Sequence, residues 1–237
     1  MSIFTGQAGM KLNVDKAFCL SLREAENRRA YLKSEFEKIN QDVEFILNDR
    51  SHNPQKAISK SHQDLCRMAS ENNWETVLIF EDDVRFYDFN PIQIAQINFF
   101  LDQNKTWDMF YLGGILGKMW KTESDGIARI RCAGTHSYIV HKRAFERVLE
   151  IDYEKTEKAV DSVYKKKFKL YSPYPLMTRQ EDNCILGSSI QGYRDQVTGS
   201  KGKLGEQEKM WRKNRIKERQ QVYFKNLHKW LFKLDQQ

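Results

Sequence analysis

Apolar residues along this chain fall into two patterns that alternate: short unbroken runs, and steps of three and four. Ala17 to Leu22 is a short run and predicts a first strand. Ala25, Arg28, Leu32, Phe36 and Ile39 then recur at helical spacing with Glu and Lys between them, which predicts an amphipathic helix. Val43 to Leu47 predicts a second short strand that stops at Asn48-Asp49. After a polar loop through Ser51-His52-Asn53-Pro54, the positions Ala57, Ile58, Ser61, Leu65, Met68 and Ala69 keep a helical period into Glu71. Strand, helix, strand, helix and a further strand is the pattern of a parallel, Rossmann-like sheet with covering helices.

The next run, Val77-Leu78-Ile79-Phe80, ends in Glu81-Asp82-Asp83 before Val84. Four apolar residues without polar alternation predict a strand buried on both faces, and three carboxylates require a place where charge is solvated or paired. The strand therefore surfaces at Glu81. Ligands of open α/β sheets bind at such carboxyl edges. In an extended chain Glu81 and Asp83 share one side and Asp82 takes the other. A hard divalent cation, its remaining ligands drawn from phosphate oxygens, suits a pair of that kind. The alternative is a solvated acidic turn after a core strand.

Further on, Asn90-Pro91 predicts a helix start, with Ile94, Ile97 and Leu101 on its apolar side. Trp107 to Leu112 predicts a strand ended by Gly113-Gly114, where a backbone without β-carbons passes close to a ligand or bends sharply. Ile130 to Cys132 and Ser137 to Val140 predict a strand pair around Gly134-Thr135-His136, followed by a helix from Lys142 to Leu149. Lys165 to Lys169 reads as a solvated charge run. Tyr171 to Met177, with Pro173 and Pro175, predicts an edge strand or extended connector, and Gln180-Glu181-Asp182-Asn183 leads into a short segment from Ile185 to Ile190.

Composition adds less than charge. At 237 residues with 40% hydrophobic and 30% charged, one globular domain with a terminal extension is expected. No apolar run approaches a membrane span, and residues 1 to 13 lack the apolar centre of a signal peptide, so a cytoplasmic place is expected. Cys19, Cys66, Cys132 and Cys184 show no paired spacing, which predicts free thiols. Residues 201 to 237 hold eleven Lys and Arg against four acids and so carry the whole net charge of +7. Within them Ile216, Tyr223, Leu227, Trp230, Leu231 and Leu234 recur at helical spacing. A basic amphipathic helix of this kind fits an anionic membrane surface through residues 203 to 237, or packing against the domain or a second chain. Its aromatics form one stripe and no base-reading motif is present, which argues against nucleic acid as a partner.

Phe18-Cys19-Leu20-Ser21-Leu22 with Arg28-Arg29, then Ser61-His62, Leu78 to Val84, and Trp107-Asp108 to Leu112-Gly113, taken in order, resemble glycosyltransferase family 25. That family holds lipopolysaccharide and lipooligosaccharide glycosyltransferases and the collagen galactosyltransferases. Gly134-Thr135-His136-Ser137-Tyr138, Val160-Asp161 and Tyr174-Pro175 to Gln180 continue the resemblance, which spans roughly residues 15 to 195. Where the family often shows Gly-Glu-x-Gly, this chain has Pro54-Gln55-Lys56-Ala57.

The resemblance implies a GT-A-like α/β fold, a mixed sheet with helices on both faces. It also implies transfer with inversion from a nucleotide-sugar donor, a UDP-sugar first among them, to a saccharide or lipid-linked glycan acceptor, with Mn²⁺ or Mg²⁺ at the acidic strand end. Galactose is among the candidate sugars. Asp83 is the first candidate ligand of the metal, with Glu81 beside it. Leu22, Arg28, Glu81, Asp82, His136 and Gln180 are candidates for donor binding. Inversion needs a base for the acceptor hydroxyl. Asp161 is the candidate, Asp182 the second choice. His62 falls on the apolar face of its helix and reads as a core histidine. A nucleic-acid- or membrane-binding module with a structural acidic strand end, and a metal-phosphate enzyme such as a nucleotidyltransferase, are the competing readings.

Overall fold

The computed structural model describes residues 11–87, 89–156 and 158–181. The basic segment 201–237, Asp182, Cys184 and the segment from Ile185 to Ile190 lie outside the described residues. In chain order the elements are β1 (Lys16–Leu22), α1 (Glu26–Glu37), β2 (Glu44–Asn48), α2 (Pro54–Glu71), β3 (Thr76–Glu81), β4 (Val84–Phe86), α3 (Pro91–Gln103) and β5 (Met109–Tyr111). There follow β6 (Ile115–Lys121), β7 (Ile127–Ala133), β8 (Ser137–His141), α4 (Lys142–Leu149), α5 (Val160–Lys167), β9 (Leu170–Pro173) and β10 (Thr178–Gln180).

Eight strands form one sheet in the order β2-β1-β3-β8-β5-β9-β7-β6. β2, β1 and β3 are parallel, as their alternation with α1 and α2 predicts. β8 then enters antiparallel between β3 and β5, which makes the sheet mixed. Because β3 has neighbours on both edges and helices over both faces, its run Val77 to Phe80 is fully buried. Alternate residues go to opposite layers. Val77 and Ile79 join Leu65 and Ala69 of α2, Phe145 and Val148 of α4 and Val163 and Tyr164 of α5. Leu78 and Phe80 join Leu32 and Phe36 of α1 and Ile94, Ile97 and Phe100 of α3. The expected mixed α/β sheet with helices on both faces is the fold that forms.

Local sequence sets the helix starts. The Asn53 side chain accepts from the Lys56 N–H at 3.1 Å and Asn90 from the Gln93 N–H at 2.9 Å, each followed by proline in the first turn. Among the described residues no helix is long and apolar enough to cross a membrane, and Cys19, Cys66 and Cys132 are buried.

Three expectations change. β7 and β8 do not pair with each other: β7 lies between β9 and β6, and β8 between β3 and β5. β6 is an additional strand, masked in the sequence because its exposed Trp120 and its lysines break the apolar run. The first part of the proline-bearing segment, Tyr171 to Pro173, is internal, since β9 pairs with both β5 and β7, while Tyr174 to Met177 is a connector into β10. Pro173 is tolerated as the strand's last residue, where a missing N–H removes little of the ladder.

A second, two-stranded sheet of β4 and β10 crosses the carboxyl edge of the main one. Gly113 is what lets it approach. A β-carbon there would stand 2.1 Å from the Thr178 carbonyl oxygen, so the close approach is to the protein's own backbone. Gly113→Ala should therefore push β10 away and destabilise the protein by about 1–3 kcal/mol. Thermal melts of this variant beside Gly117→Ala, whose β-carbon would meet the Arg131 carbonyl at 3.3 Å, should rank Gly113→Ala as the more damaging; the reverse order refutes the packing account.

Candidate active site

The three acids at the end of β3 go to three different sets of partners. β3 ends at Glu81, and Asp82 and Asp83 form a turn. The extended alternation that would put Glu81 and Asp83 on one side therefore stops at Glu81. The Glu81 Oε1 accepts from the Thr135 hydroxyl and lies 3.5 Å from His62 Nε2. Burial acts to raise this carboxyl, but the His62 ring and the Thr135 hydroxyl outweigh it and hold the group below the usual carboxylate range. His62 itself is fully buried, its Nδ1 2.8 Å from the Tyr138 hydroxyl. Asp82 is nearly buried. Its Oδ2 accepts from the Ser21 hydroxyl at 2.8 Å, and its Oδ1 pairs with the Arg28 guanidinium from α1.

Asp83 is the least satisfied of the three. Its Oδ2 accepts from the Gln180 side-chain amide at 3.0 Å, while its buried Oδ1 has no hydrogen-bond partner among the described residues. Burial, followed by the negative charge of Glu81 and Asp82, pushes the carboxyl up to about 8, against the opposing pull of Arg28 and Gln180. The pairing of Gln180 with Val84 across β10 and β4 delivers that amide.

A second group of residues adjoins this one through Gly134, which has φ +86°. Its N–H donates to the Asp161 Oδ2 at 2.9 Å, and Asp161 Oδ1 is buried with no hydrogen-bond partner among the described residues. A β-carbon on Gly134 would lie 3.5 Å from His136 Nδ1 and 3.9 Å from the Gln180 Oε1. Gly134, which binds Asp161, thus lies near the Gln180 amide that serves Asp83. The carbonyl of His136 accepts from the Glu81 N–H at 3.0 Å. Burial drives the His136 ring down to about 4, despite Glu81 and the Thr178 backbone, so the imidazole is neutral at pH 7.

On the other side of the acids opens a solvent-open cleft of roughly 90 Å³. It is lined by Leu20, Ser21, Leu22 and Arg28, by Asn48 to Ser51 after β2, by the first turns of α2 from Pro54, and by Glu81, Asp82 and Asp83. Leu22, Arg28, Glu81, Asp82 and Asp83 of the expected set thus border one space, and Gln180 joins them by its bond to Asp83. Asp182 lies outside the described residues. Among the described residues no three His, Cys, Asp or Glu side chains converge as a metal site. A cation would thus rest on few protein ligands, as Mg²⁺-type ions bound to phosphates do. The unpartnered Asp83 Oδ1, in a buried anionic setting, is the feature that fits one.

Sequence reading missed the 48–51 wall, although its position after a parallel strand next to β1 marks the same carboxyl edge. It also missed the Thr135 and His62 contacts to Glu81, which no spacing in the chain predicts. Trp107 and Asp108 prove structural: Trp107 is fully buried, and Asp108 accepts from the Lys169 N–H and lies 2.7 Å from the Arg147 guanidinium.

No family model matches the chain, and no curated protein is significantly similar to it. Among solved structures, A197 from STIV aligns at TM-score 0.42 and 11% identity over 66% of this chain and 81% of that one. A glycosyltransferase involved in the glycosylation of the major capsid of PBCV-1 aligns at TM-score 0.40 and 16% identity over 68% and 83%. Mannose-1-phosphate geranyltransferase from Thermus thermophilus aligns at TM-score 0.40 and 9% identity over 69% and 76%. Similarity this low fixes neither activity nor ligand.

The isolation of Asp83 has a measurable consequence. In the unfolded chain this carboxyl loses its proton near 3.8, in the folded protein near 8. The folded state therefore binds more protons in between, and stability falls as pH rises through that window. Asp83→Asn removes the effect. The variant, without added metal, should melt higher than the parent at about pH 8.5, with the gain shrinking toward pH 4. A variant that melts lower at high pH contradicts an isolated carboxylate.

Proposed function

We propose that this protein is a metal-dependent inverting glycosyltransferase that moves a sugar from a nucleotide-sugar donor to a saccharide acceptor. The observation that carries the reading is Asp83: a carboxylate at the carboxyl edge of the central parallel strands, bordering a cleft and carrying a buried oxygen that has no partner among the described residues. The ordered resemblance to glycosyltransferase family 25 is its second support.

In this reading the cleft takes the donor. The apolar surfaces of Leu20, Leu22, Pro54, Ala57 and Ile58 would flank the nucleoside, and the Arg28–Asp82 pair would fix its edge. Asp83 would hold Mn²⁺ or Mg²⁺, with Glu81 adding negative potential from its place against Thr135, and donor phosphate oxygens and water completing the shell. When bound, the ion would offset the charge that develops on the departing diphosphate. Asp161 would serve the acceptor. The Gly134 N–H holds one of its oxygens, which leaves Oδ1 to take the proton of the acceptor hydroxyl. That hydroxyl oxygen forms its bond to the anomeric carbon as the bond from carbon to phosphate oxygen breaks. His136, neutral, would contribute shape rather than charge. Attachment to an anionic membrane through residues 203–237 rests on the sequence alone.

Two experiments test the reading. Thermal shift with a panel of nucleotide sugars, UDP-sugars first, should show stabilisation that depends on Mn²⁺ in the parent and is lost in Asp83→Asn together with transfer. Donor binding and turnover that survive Asp83→Asn would sink the metal assignment. Asp161→Asn should lower turnover by about 10² to 10⁴ with donor binding retained, whereas Asp182→Asn should do less. Equal, mild effects at both positions put the base elsewhere.

A further inference from the structure

Residues 1–200 are neutral in sum, with the whole net charge in the segment beyond, yet one groove in the domain is strongly cationic. Arg129 and Arg131 of β7, Lys121 of β6 and the run Lys165 to Lys169 around the end of α5 line a solvent-open groove of roughly 590 Å³, together with Trp120, Phe168 and Tyr171. Among the described residues no carboxylate lines it. The acids of the intervening hairpin turn, Glu123 and Asp125, are not among its walls. Among the described residues none of these lysines and arginines has a carboxylate within ion-pair distance; Arg129 instead lies over the Trp120 ring, 6.0 Å from its centroid. Trp120 is 42% exposed. A large aromatic left in solvent beside unpaired cations marks a surface prepared for a ligand.

We infer that this groove binds an anionic, phosphorylated glycan and holds it as the acceptor of the proposed transfer. Charge complementarity requires the negative groups, and the exposed Trp120 offers a flat apolar face on which a sugar ring can rest. Concavity favours a chain lying within the groove over a lipid surface lying across it. Continuity with Asp161 favours a glycan over a single-stranded nucleic acid. Asp161 and Lys165 sit on α5 one turn apart, roughly 6 Å along the axis, so they share a helix face. Lys165, the first of the groove lysines on α5, thus stands one helical turn from the candidate base. The acceptor role rests on the transferase reading, while binding by the groove does not.

The test uses the full chain and a charge-reversed groove, Lys166→Glu with Lys167→Glu, both exposed positions, with thermal melts to confirm folding. Fluorescent phosphorylated mannan fragments, neutral mannan of the same length and a single-stranded oligonucleotide of matched charge serve as probes. The parent should bind phosphorylated mannan more tightly than neutral mannan. The double variant should lose about tenfold in that affinity, the loss shrinking in high salt, and should keep the Mn²⁺-dependent donor stabilisation of the parent. Because the basic segment 201–237 remains in both proteins, only the difference between them reports on the groove. Unchanged affinity in the double variant, or tighter binding of the oligonucleotide through the same lysines, overturns the inference. Lysine-dependent glycan binding in a parent that ignores every nucleotide sugar upholds the groove as a glycan site and refutes the transferase reading instead.

Discussion

Three consecutive carboxylates at the mouth of a strand buried on both faces cannot be left to one another; each needs its own neutralising partner, and the surrounding fold supplies them from separate elements. α2 and the loop into β8 bring His62 and Thr135 to Glu81, and β1 and α1 bring Ser21 and Arg28 to Asp82. Among the described residues Asp83 receives only one neutral amide, from a strand of the small second sheet. The uneven distribution matters more than the cluster itself. A charge that the protein partners fully is structural, and one that it leaves half-partnered in a buried place is a standing electrostatic cost that a ligand can relieve.

The mixed sheet turns this into geometry. Three parallel strands create the carboxyl edge on which the cleft opens. β8, entering antiparallel beside β3, begins at that same edge, so Gly134, Thr135 and His136 arrive next to the acids. β7 and α5 meet at Gly134 and carry Asp161. The small sheet of β4 and β10 closes over the edge and is admitted by Gly113. Donor-side and acceptor-side candidates thus sit on separate parts of the chain, with Gly134 and Gln180 between them.

Most of the scaffold is legible in the sequence because its signals are local. Residues that alternate between two helical layers make β3 a continuous apolar run, the Asn-Pro pairs mark the starts of α2 and α3, and the charge reversal after Phe80 marks the strand's end. Asp83 could be named from the charge at the strand end, and Arg28 and Gln180 only through the ordered resemblance. What each would touch could not, since Asp83 and Gln180 are far apart in sequence and meet only because β10 pairs with β4.

Tertiary structure decided the rest, for reasons of the same kind. The sequence by itself determined that strands exist around Gly134, but pairing is a contest between edges that local pattern does not record, so β7 and β8 went to different neighbours. It determined a lysine run at 165–169, whose bland reading is a solvated face; only folding set that run against Arg129, Arg131 and Trp120 from another strand and made a groove of it. It placed three acids side by side, and the turn at Asp82 and Asp83 sent them apart. Charge and apolar periodicity are properties of a stretch of chain, whereas whether a charge is paired depends on long-range contacts, and it is the unpaired groups that mark the candidate site.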